Sequence, residues 1–279
     1  MDVHSDWGDW LPRAVADADP DGIALWYLGC NGFVLKAGDG TTLFIDPYLG
    51  TGDPPRTIRM IPVPFEPDDV EAADAVLATH EHTDHVHGPS QGPILERTGA
   101  AFVGPSASVE TARETERWTE TYGVDADQFD VVEPGDTRSF GELTVNVEPA
   151  ADADAEEPVS YVFEYDGATV FHGGDTKPGA ELAPVGERYD IDLGILAFGT
   201  VGQIPDKQTR EPKRTKWYND ETQVMDLAET LELDRLVPTH WDMWKGLTGD
   251  PTALFDHRRS RAFPRRIEIT EIGDRIEVE

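Results

Sequence analysis

The sequence predicts an α/β chain with αββα layering, in which two mixed β-sheets lie face to face and helices cover the outside. Two observations lead there. Apolar strands come first in hairpins and later alternate with helical segments, the pattern of sheets covered by helices. The 279 residues also run without a repeat, a low-complexity tract or a linker, so they read as a single domain, 1–279, with 1–20 as an N-terminal extension.

Residues 1–20 form an amphipathic or loosely ordered lead-in. Strands follow at IALWYL, GFVLKAG and TTLFID, and the Asp39-Gly40 turn between the last two reads as a hairpin. A Pro-rich loop from Pro47 to Pro67 and a short helix from Glu66 lead into the strand DAVLAT. After a His-rich segment come a helix around Gly92–Thr98, the strand AAFVGP and a helix from about Ser106 to Tyr122. From Phe129 to Asp175 the chain reads as strands: VVEPG, TRSF, LTVNVEP, VSYVFEY and ATVFHGG. The strand IDLGILAFG precedes a polar stretch, Gly202–Asn219. A helix Asp220–Leu231, the strand RLVPTH and a helix near Pro251–Arg261 follow, and RIEITEIG and RIEVE close the chain as strands.

Hydrophobic residues at 38%, with seven Trp, supply enough apolar material for a core. No run approaches the ~20 apolar residues of a membrane span. The N-terminus lacks a basic segment followed by an apolar stretch, so no secretory signal is read there. Cys30 is the single cysteine, which rules out an intrachain disulfide and makes a reducing cytoplasm the simplest location. Burial at a strand end is the preferred reading of Cys30 over a reactive thiol. Asp and Glu number 55 against 23 Lys and Arg, a net charge of −32. Such a surface repels itself unless salt screens it, a composition like that of proteins from salt-accumulating archaea. It also argues against nucleic acid as a partner, because phosphate affinity comes from basic contacts. The partner expected is a small molecule; a homo-oligomer is possible.

The densest chemical signal is Thr79-His80-Glu81-His82-Thr83-Asp84-His85, directly after the apolar run AVLA. Residues two apart on an extended chain project to one side, so His80 and His82 can bind one metal ion. If the chain then turns, Asp84 and His85 face a second. Asp175 follows the glycines of ATVFHGG, which let the backbone turn its carboxylate inward between two cations. His240 ends RLVPTH and can complete the second ion's surroundings. Alone, Asp175 reads equally as a turn residue and His240 as a satisfied buried histidine; beside the first motif, both read as ligands. Asp46, at the end of LFID, is expected to accept the other N–H of a ligand histidine and so fix its ring, with a turn cap as the alternative. His172 and His87 lie near the site in sequence, as supporting or substrate-facing groups rather than ligands.

The H-x-H-x-D-H segment, Gly-Gly-Asp-Thr at 173–176 and Pro-Thr-His at 238–240 resemble the metallo-β-lactamase superfamily in order and spacing. Within it the chain is similar to the L-ascorbate-6-phosphate lactonase branch. The resemblance rests on Trp26-Tyr27-Leu28-Gly29 with Asn31-Gly32-Phe33, Phe44-Ile45-Asp46-Pro47-Tyr48, Phe171-His172-Gly173-Gly174-Asp175, Tyr189-Asp190-Ile191-Asp192 and Val237 through Trp244. It implies the metallo-β-lactamase fold and two divalent ions, Mn²⁺ or Zn²⁺. It further implies hydrolysis of a sugar-derived lactone by water activated between the metals, with Asp84 orienting that water or taking its proton; a non-phosphorylated aldonolactone such as a pentonolactone is preferred over a sugar-acid phosphate lactone. One departure stands out. Most members carry a further histidine after the strand matching LTVNVEP, where this chain reads Pro149-Ala150-Ala151-Asp152-Ala153-Asp154. The lactonase-like branch tolerates aspartate there, so Asp152 is the candidate ligand and Asp154 the fallback, against an acidic surface loop. A carboxylate in place of imidazole shifts that ion toward harder metals such as Mn²⁺.

Lys207, Arg210, Lys213, Arg214 and Lys216 cluster in an otherwise acidic chain. They read either as a hold for an anionic substrate or as a surface loop paired with neighbouring acids. A phosphodiesterase or nuclease of the same fold, and a non-catalytic binding member, are the rival functions. The charge balance generates the first prediction. At ~10 mM salt, where the Debye length is ~30 Å, circular dichroism should show native signal lost and then regained across a KCl titration. Full signal and an unchanged melting temperature at that salt would overturn the salt-adapted reading.

Overall fold

The computed structural model describes residues 3–279. Its first sheet contains β1 (Ile23–Gly29), β2 (Gly32–Ala37), β3 (Thr42–Ile45), β4 (Ala75–Leu77), β5 (Ala101–Gly104) and β6 (Phe129–Val131) in that spatial order. The second contains β7 (Thr137–Phe140), β8 (Leu143–Pro149), β9 (Val159–Tyr165), β10 (Ala168–His172) and β11 (Leu193–Ala197). A separate hairpin, β12 (Gly202–Pro205) with β13 (Pro212–Thr215), pairs with neither. β14 (Arg235–Thr239) and β15 (Arg266–Ile267) extend the second sheet beyond β11, and β16 (Arg275–Val278) returns to the edge of the first beside β1. Both sheets are mixed: β3 through β6 run parallel, as do β10, β11, β14 and β15, while the remaining ladders are antiparallel.

Strand alternation sorts the core into layers. Ile23, Leu25 and Tyr27 of β1 point between the sheets and meet Val145, Tyr161, Phe163 and Ile195. Ala24, Trp26 and Leu28 point outward under helices α1 (Trp10–Ala16), α2 (Gly88–Thr98), α3 (Ser106–Glu110) and α4 (Trp118–Tyr122). On the far side α5 (Ala183–Arg188), α6 (Glu221–Thr230) and α7 (Leu254–Arg258) cover Val162, Phe171 and Leu196. β1 is buried along its whole length because both its faces are covered. The expected αββα layering is the observed one.

Several expected elements differ in detail. The segment from Ser106 to Tyr122 is not one helix. A wider turn, in which the Glu116 amide donates to the Thr111 carbonyl at 2.9 Å, ends α3, and Arg117 at φ +56° separates it from α4. The helix expected from Glu66 is a single turn, Pro67–Asp69, held by reciprocal Glu66 and Asp69 caps. α2 starts at Gly88, and the last helix is a turn over Pro251–Ala253 followed by α7. The polar stretch Gly202–Asn219 contains the β12–β13 hairpin, whose turn is tied by Asp206 accepting from the Gln208 and Thr209 amides at 2.9 Å. Of RIEITEIG only Arg266–Ile267 pairs with a neighbour.

Two hydrogen bonds cross between the sheets at the end of β4. The Tyr161 hydroxyl of β9 donates to the Ala78 carbonyl at 2.8 Å, and the Val159 amide donates to the Thr79 carbonyl at 2.9 Å. They fix where the His-rich segment leaves the sandwich. Tyr161 is fully buried, so Tyr161→Phe strands the Ala78 carbonyl and should cost about 1–3 kcal/mol. Urea unfolding reads this as a lower midpoint with unchanged slope; an unmoved midpoint would show that the bond contributes nothing.

Candidate metal centre

The predicted site residues converge at one end of the sandwich because each follows a strand that terminates there. Asp46 follows β3, Thr79 and His80 follow β4, Asp152 lies beyond β8, Asp175 follows β10 and His240 follows β14. Three non-glycine residues at this end adopt left-handed backbone: Cys30 at φ +61°, Asp46 at +44° and His240 at +63°. Each such conformation costs of order 1–3 kcal/mol and persists only where surrounding contacts enforce it. Gly174, at φ +55°, has no room for a side chain: a Cβ there would lie 2.8 Å from Thr79 Cβ. That close approach brings the Asp175 segment against the end of β4.

Asp46 organises the histidines. Its fully buried carboxylate accepts from the Thr79 amide at 2.8 Å and the Thr79 hydroxyl at 2.7 Å, and pairs with His85 Nδ1 at 2.8 Å. This leaves His85 Nε2 directed at Asp175 Oδ1, 3.6 Å away. His240 Nε2 approaches the same oxygen at 2.9 Å, and its ring stacks on Tyr218 with centroids 4.0 Å apart. His80 Nε2 lies 3.0 Å from His82 Nδ1.

Potential ligand atoms fall into neighbouring groups, each within 4.8 Å of one another. One is His80, His82 and Asp152; a second is His80, His85 and Asp175; a third is Cys30, Asp84 and His240. All seven residues expected as ligands from sequence are thus brought together. Of the two aspartates weighed for the irregular position, Asp152 presents its carboxylate to the histidines. Asp154 offers His82 Nε2 only its main-chain oxygen, at 3.1 Å. Lys177 Nζ pairs with Asp152 Oδ1 at 2.6 Å.

His172 plays a different part. Its Nε2 meets the Asn31 carbonyl at 2.9 Å and its Nδ1 accepts from the Gly174 amide at 3.3 Å, so it ties the β1–β2 tip to the Asp175 loop. His87 packs on Tyr48 and meets the Ser90 hydroxyl at 2.6 Å, away from the ligand groups, and burial pushes it down to about 4. Cys30 is the residue that sequence reasoning missed. It sits in the hairpin tip between β1 and β2, where no spacing pattern connects it to Asp84 or His240.

The electrostatics fit a cation. Burial works against the carboxylate of Asp175, yet His240 and His85 outweigh it and hold that group well below the ordinary carboxylate range. Burial similarly opposes Asp84, and His85 followed by His240 lowers it. Burial, reinforced by His85, pushes His80 well below the usual histidine range, as suits a neutral nitrogen donor. Asp175 Oδ1 and His85 Nε2 are buried without a satisfied hydrogen bond. Unsatisfied donor atoms of these types, pointed at one another inside the fold, are what a divalent ion with nitrogen and oxygen ligands requires.

The central position of Asp175 makes a differential prediction. Asp175→Asn should lose both ions, whereas Asp152→Asn should weaken only the one nearest His80 and His82. Native mass spectrometry counts the metals. Wild-type metal content in Asp152→Asn would remove that residue from the ligand set.

Comparison with known proteins bears on the fold and the family. A protein of Escherichia fergusonii named a probable L-ascorbate-6-phosphate lactonase is 25% identical over 300 residues, covering 91% of this chain and 80% of the relative. A metallo hydrolase from the archaeon Ignicoccus hospitalis superposes with a TM-score of 0.68 at 22% identity, covering 92% of this chain and 98% of the other. An isothiocyanate hydrolase from Delia radicum gut bacteria gives 0.64 at 16%, covering 91% and 98%. The family model described as "Beta-lactamase superfamily domain" matches residues 41–241, a span that contains every expected ligand from His80 to His240, and the chain belongs to that family.

Proposed function

We propose that the chain is a metal-dependent hydrolase that opens a sugar-derived lactone, preferentially one carrying a phosphate or carboxylate. The observation that carries this reading is the pair of candidate ligand groups on either side of Asp175, in a chain similar to proteins named probable L-ascorbate-6-phosphate lactonases. His80, His82 and Asp152 would hold one ion and Asp84 with His240 the other, with Asp175 and His85 between them. Divalent ions bound there lower the pKa of water toward neutrality and stabilise negative charge developing on oxygen.

The chain's own groups supply the remainder. Asp84, whose carboxyl is lowered by His85 and His240 against the effect of burial, would accept a proton from the attacking water and return it to the leaving alkoxide. Asp46 and Thr79 hold the His80 and His85 rings so that neither rotates during turnover. No serine or cysteine nucleophile is required. The β12–β13 hairpin lines a cleft of about 410 Å³ in which Arg56, Lys207, Lys213, Arg214 and Lys216 outnumber the two acids Asp206 and Asp154, and Asp154 joins the cleft to the His82 side of the site. Lys216 pairs with Asp220, but Arg56, Lys207, Lys213 and Arg214 enter no ion pair among the described residues. Unpaired cations in a chain of net charge −32 favour an anionic substrate over the alternative of a self-neutralised loop.

The same ions would serve a phosphodiesterase, but the charge balance disfavours a polyanion; a non-catalytic binder has no need of so complete a set of ligand atoms. Sugar-acid γ- and δ-lactones, with and without an acidic substituent, should be opened with release of one proton per turnover, followed by a pH indicator. His80→Ala protein at the same pH and salt supplies the spontaneous background. Acidic lactones should have the lower KM. Turnover of bis-phosphodiesters with no lactone activity above background would transfer the assignment to the phosphodiesterase.

A further inference from the structure

We propose that Cys30 is a ligand of the second divalent ion, completing a thiolate–carboxylate–imidazole set with Asp84 and His240. The inference rests on the reading that this centre holds two ions.

Cys30 is fully buried, and its surroundings are of two kinds. On one side are Tyr48, Tyr218, Met243 and Trp244, the company of an ordinary buried cysteine. On the other, Sγ lies 3.6 Å from Asp84 Oδ2, 3.5 Å from His240 Nδ1 and 4.0 Å from His240 Nε2. Packing alone gives no reason to aim a half-buried carboxylate and a buried imidazole at a buried thiol, since the weak S–H donor recovers little of what desolvating them costs. A cation among them removes the conflict. Sulfur at ~2.3 Å and nitrogen or oxygen at ~2.1 Å around a tetrahedral ion lie about 3.6 Å from each other. The spacings of Sγ to Asp84 Oδ2 and His240 Nδ1 match that edge length, while Nε2, the nitrogen beside Asp175, lies farther off at 4.0 Å.

A second observation lies beside this group. Asp175 Oδ1 is buried without a satisfied hydrogen bond although His240 Nε2 lies 2.9 Å away, so the carboxylate next to the Cys30, Asp84 and His240 group is available to a cation. The thiol is also held in place from behind. The Cys30 carbonyl accepts from the His240 amide at 2.8 Å and the Tyr27 hydroxyl at 3.2 Å. The next residue is clamped by His172 on the Asn31 carbonyl and by the Thr239 hydroxyl on Asn31 Oδ1, at 2.9 and 2.8 Å. These bonds come from β1, β10 and β14, the last two being the strands that deliver Asp175 and His240. The sulfur is therefore positioned by the same elements as the other ligands. On binding, the S–H proton leaves to solvent and the sulfur lone pair forms the bond to the ion. The two ions then differ in character: the carboxylate of Asp152 favours a harder metal at the first position, and the thiolate a softer one such as Zn²⁺ or Co²⁺ at the second.

Metal-free protein titrated with Co²⁺ tests this, with bound metal counted by mass spectrometry and the electronic spectrum recorded. Wild type should take two equivalents and develop an intense near-ultraviolet thiolate-to-cobalt band with one of them. Cys30→Ala should lack the band and keep native far-ultraviolet circular dichroism and one equivalent. The second equivalent should weaken by more than the ~10–100-fold typical of a residue outside the ligand set. Cys30→Asp should regain the second equivalent without the band. Two tightly bound Co²⁺ in wild type without a thiolate band would overturn Cys30 as a ligand and leave the two-ion reading intact. No Co²⁺ binding by wild type would overturn both. The wild-type spectrum decides even where a variant fails to fold.

Discussion

Asp46 ends β3 with its carboxylate wholly removed from water, and a buried carboxylate is tolerable only when donors surround it. The donors it gathers are the Thr79 amide, the Thr79 hydroxyl and the His85 ring. Thr79 also lies against Gly174, so the same carboxylate indirectly sets how closely the Asp175 loop of the second sheet approaches the first. The left-handed backbone at Asp46, Cys30 and His240 is sustained by this convergence. Strain at three strand ends is offset by contacts that exist only once both sheets are in place, which ties the geometry of the centre to completion of the sandwich.

Much of this was legible in the sequence because it depends on local signals. The Asp39-Gly40 turn, the apolar runs of β1 to β4 and the histidine cluster after AVLA each carry their own periodicity or spacing. Asp175 and His240 were legible as strand-end residues next to that cluster. The rest depends on tertiary placement. Cys30 reaches Asp84 only because the β1–β2 tip lies under β14, and nothing near Cys30 in sequence records that contact. The β12–β13 hairpin escaped notice because its strands are polar and mostly exposed, with Ile204 the buried exception, so they carry no core-facing alternation. The break between α3 and α4 likewise follows from left-handed Arg117, a residue type with no turn preference. His172, expected from sequence as a supporting or substrate-facing group, lies between the Asn31 carbonyl and the Gly174 amide next to Asp175, contacts that no sequence spacing records.

Charge is distributed with a purpose that bulk composition hides. A chain of net charge −32 nevertheless gathers Arg56, Lys207, Lys213 and Arg214 around a single cleft, while other arginines, such as Arg138, Arg188, Arg235 and Arg261, are committed to carboxylates. A net negative field of this size repels anions at long range, and the local cations act only within a Debye length, so under the proposed function selection between small and extended anions would follow from range as much as from contact.

The β12–β13 hairpin shares no backbone ladder with either large sheet. Changes at its exposed positions break no ladder of a strand that carries a candidate ligand, whereas Ile204 and Gly202 pack against the cluster around Cys30 and Tyr218 and against Gly246. On the proposed function, the exposed hairpin positions could consequently change through evolution without altering the centre beneath them. The candidate ligands, embedded in interlocked strand ends, have no comparable liberty.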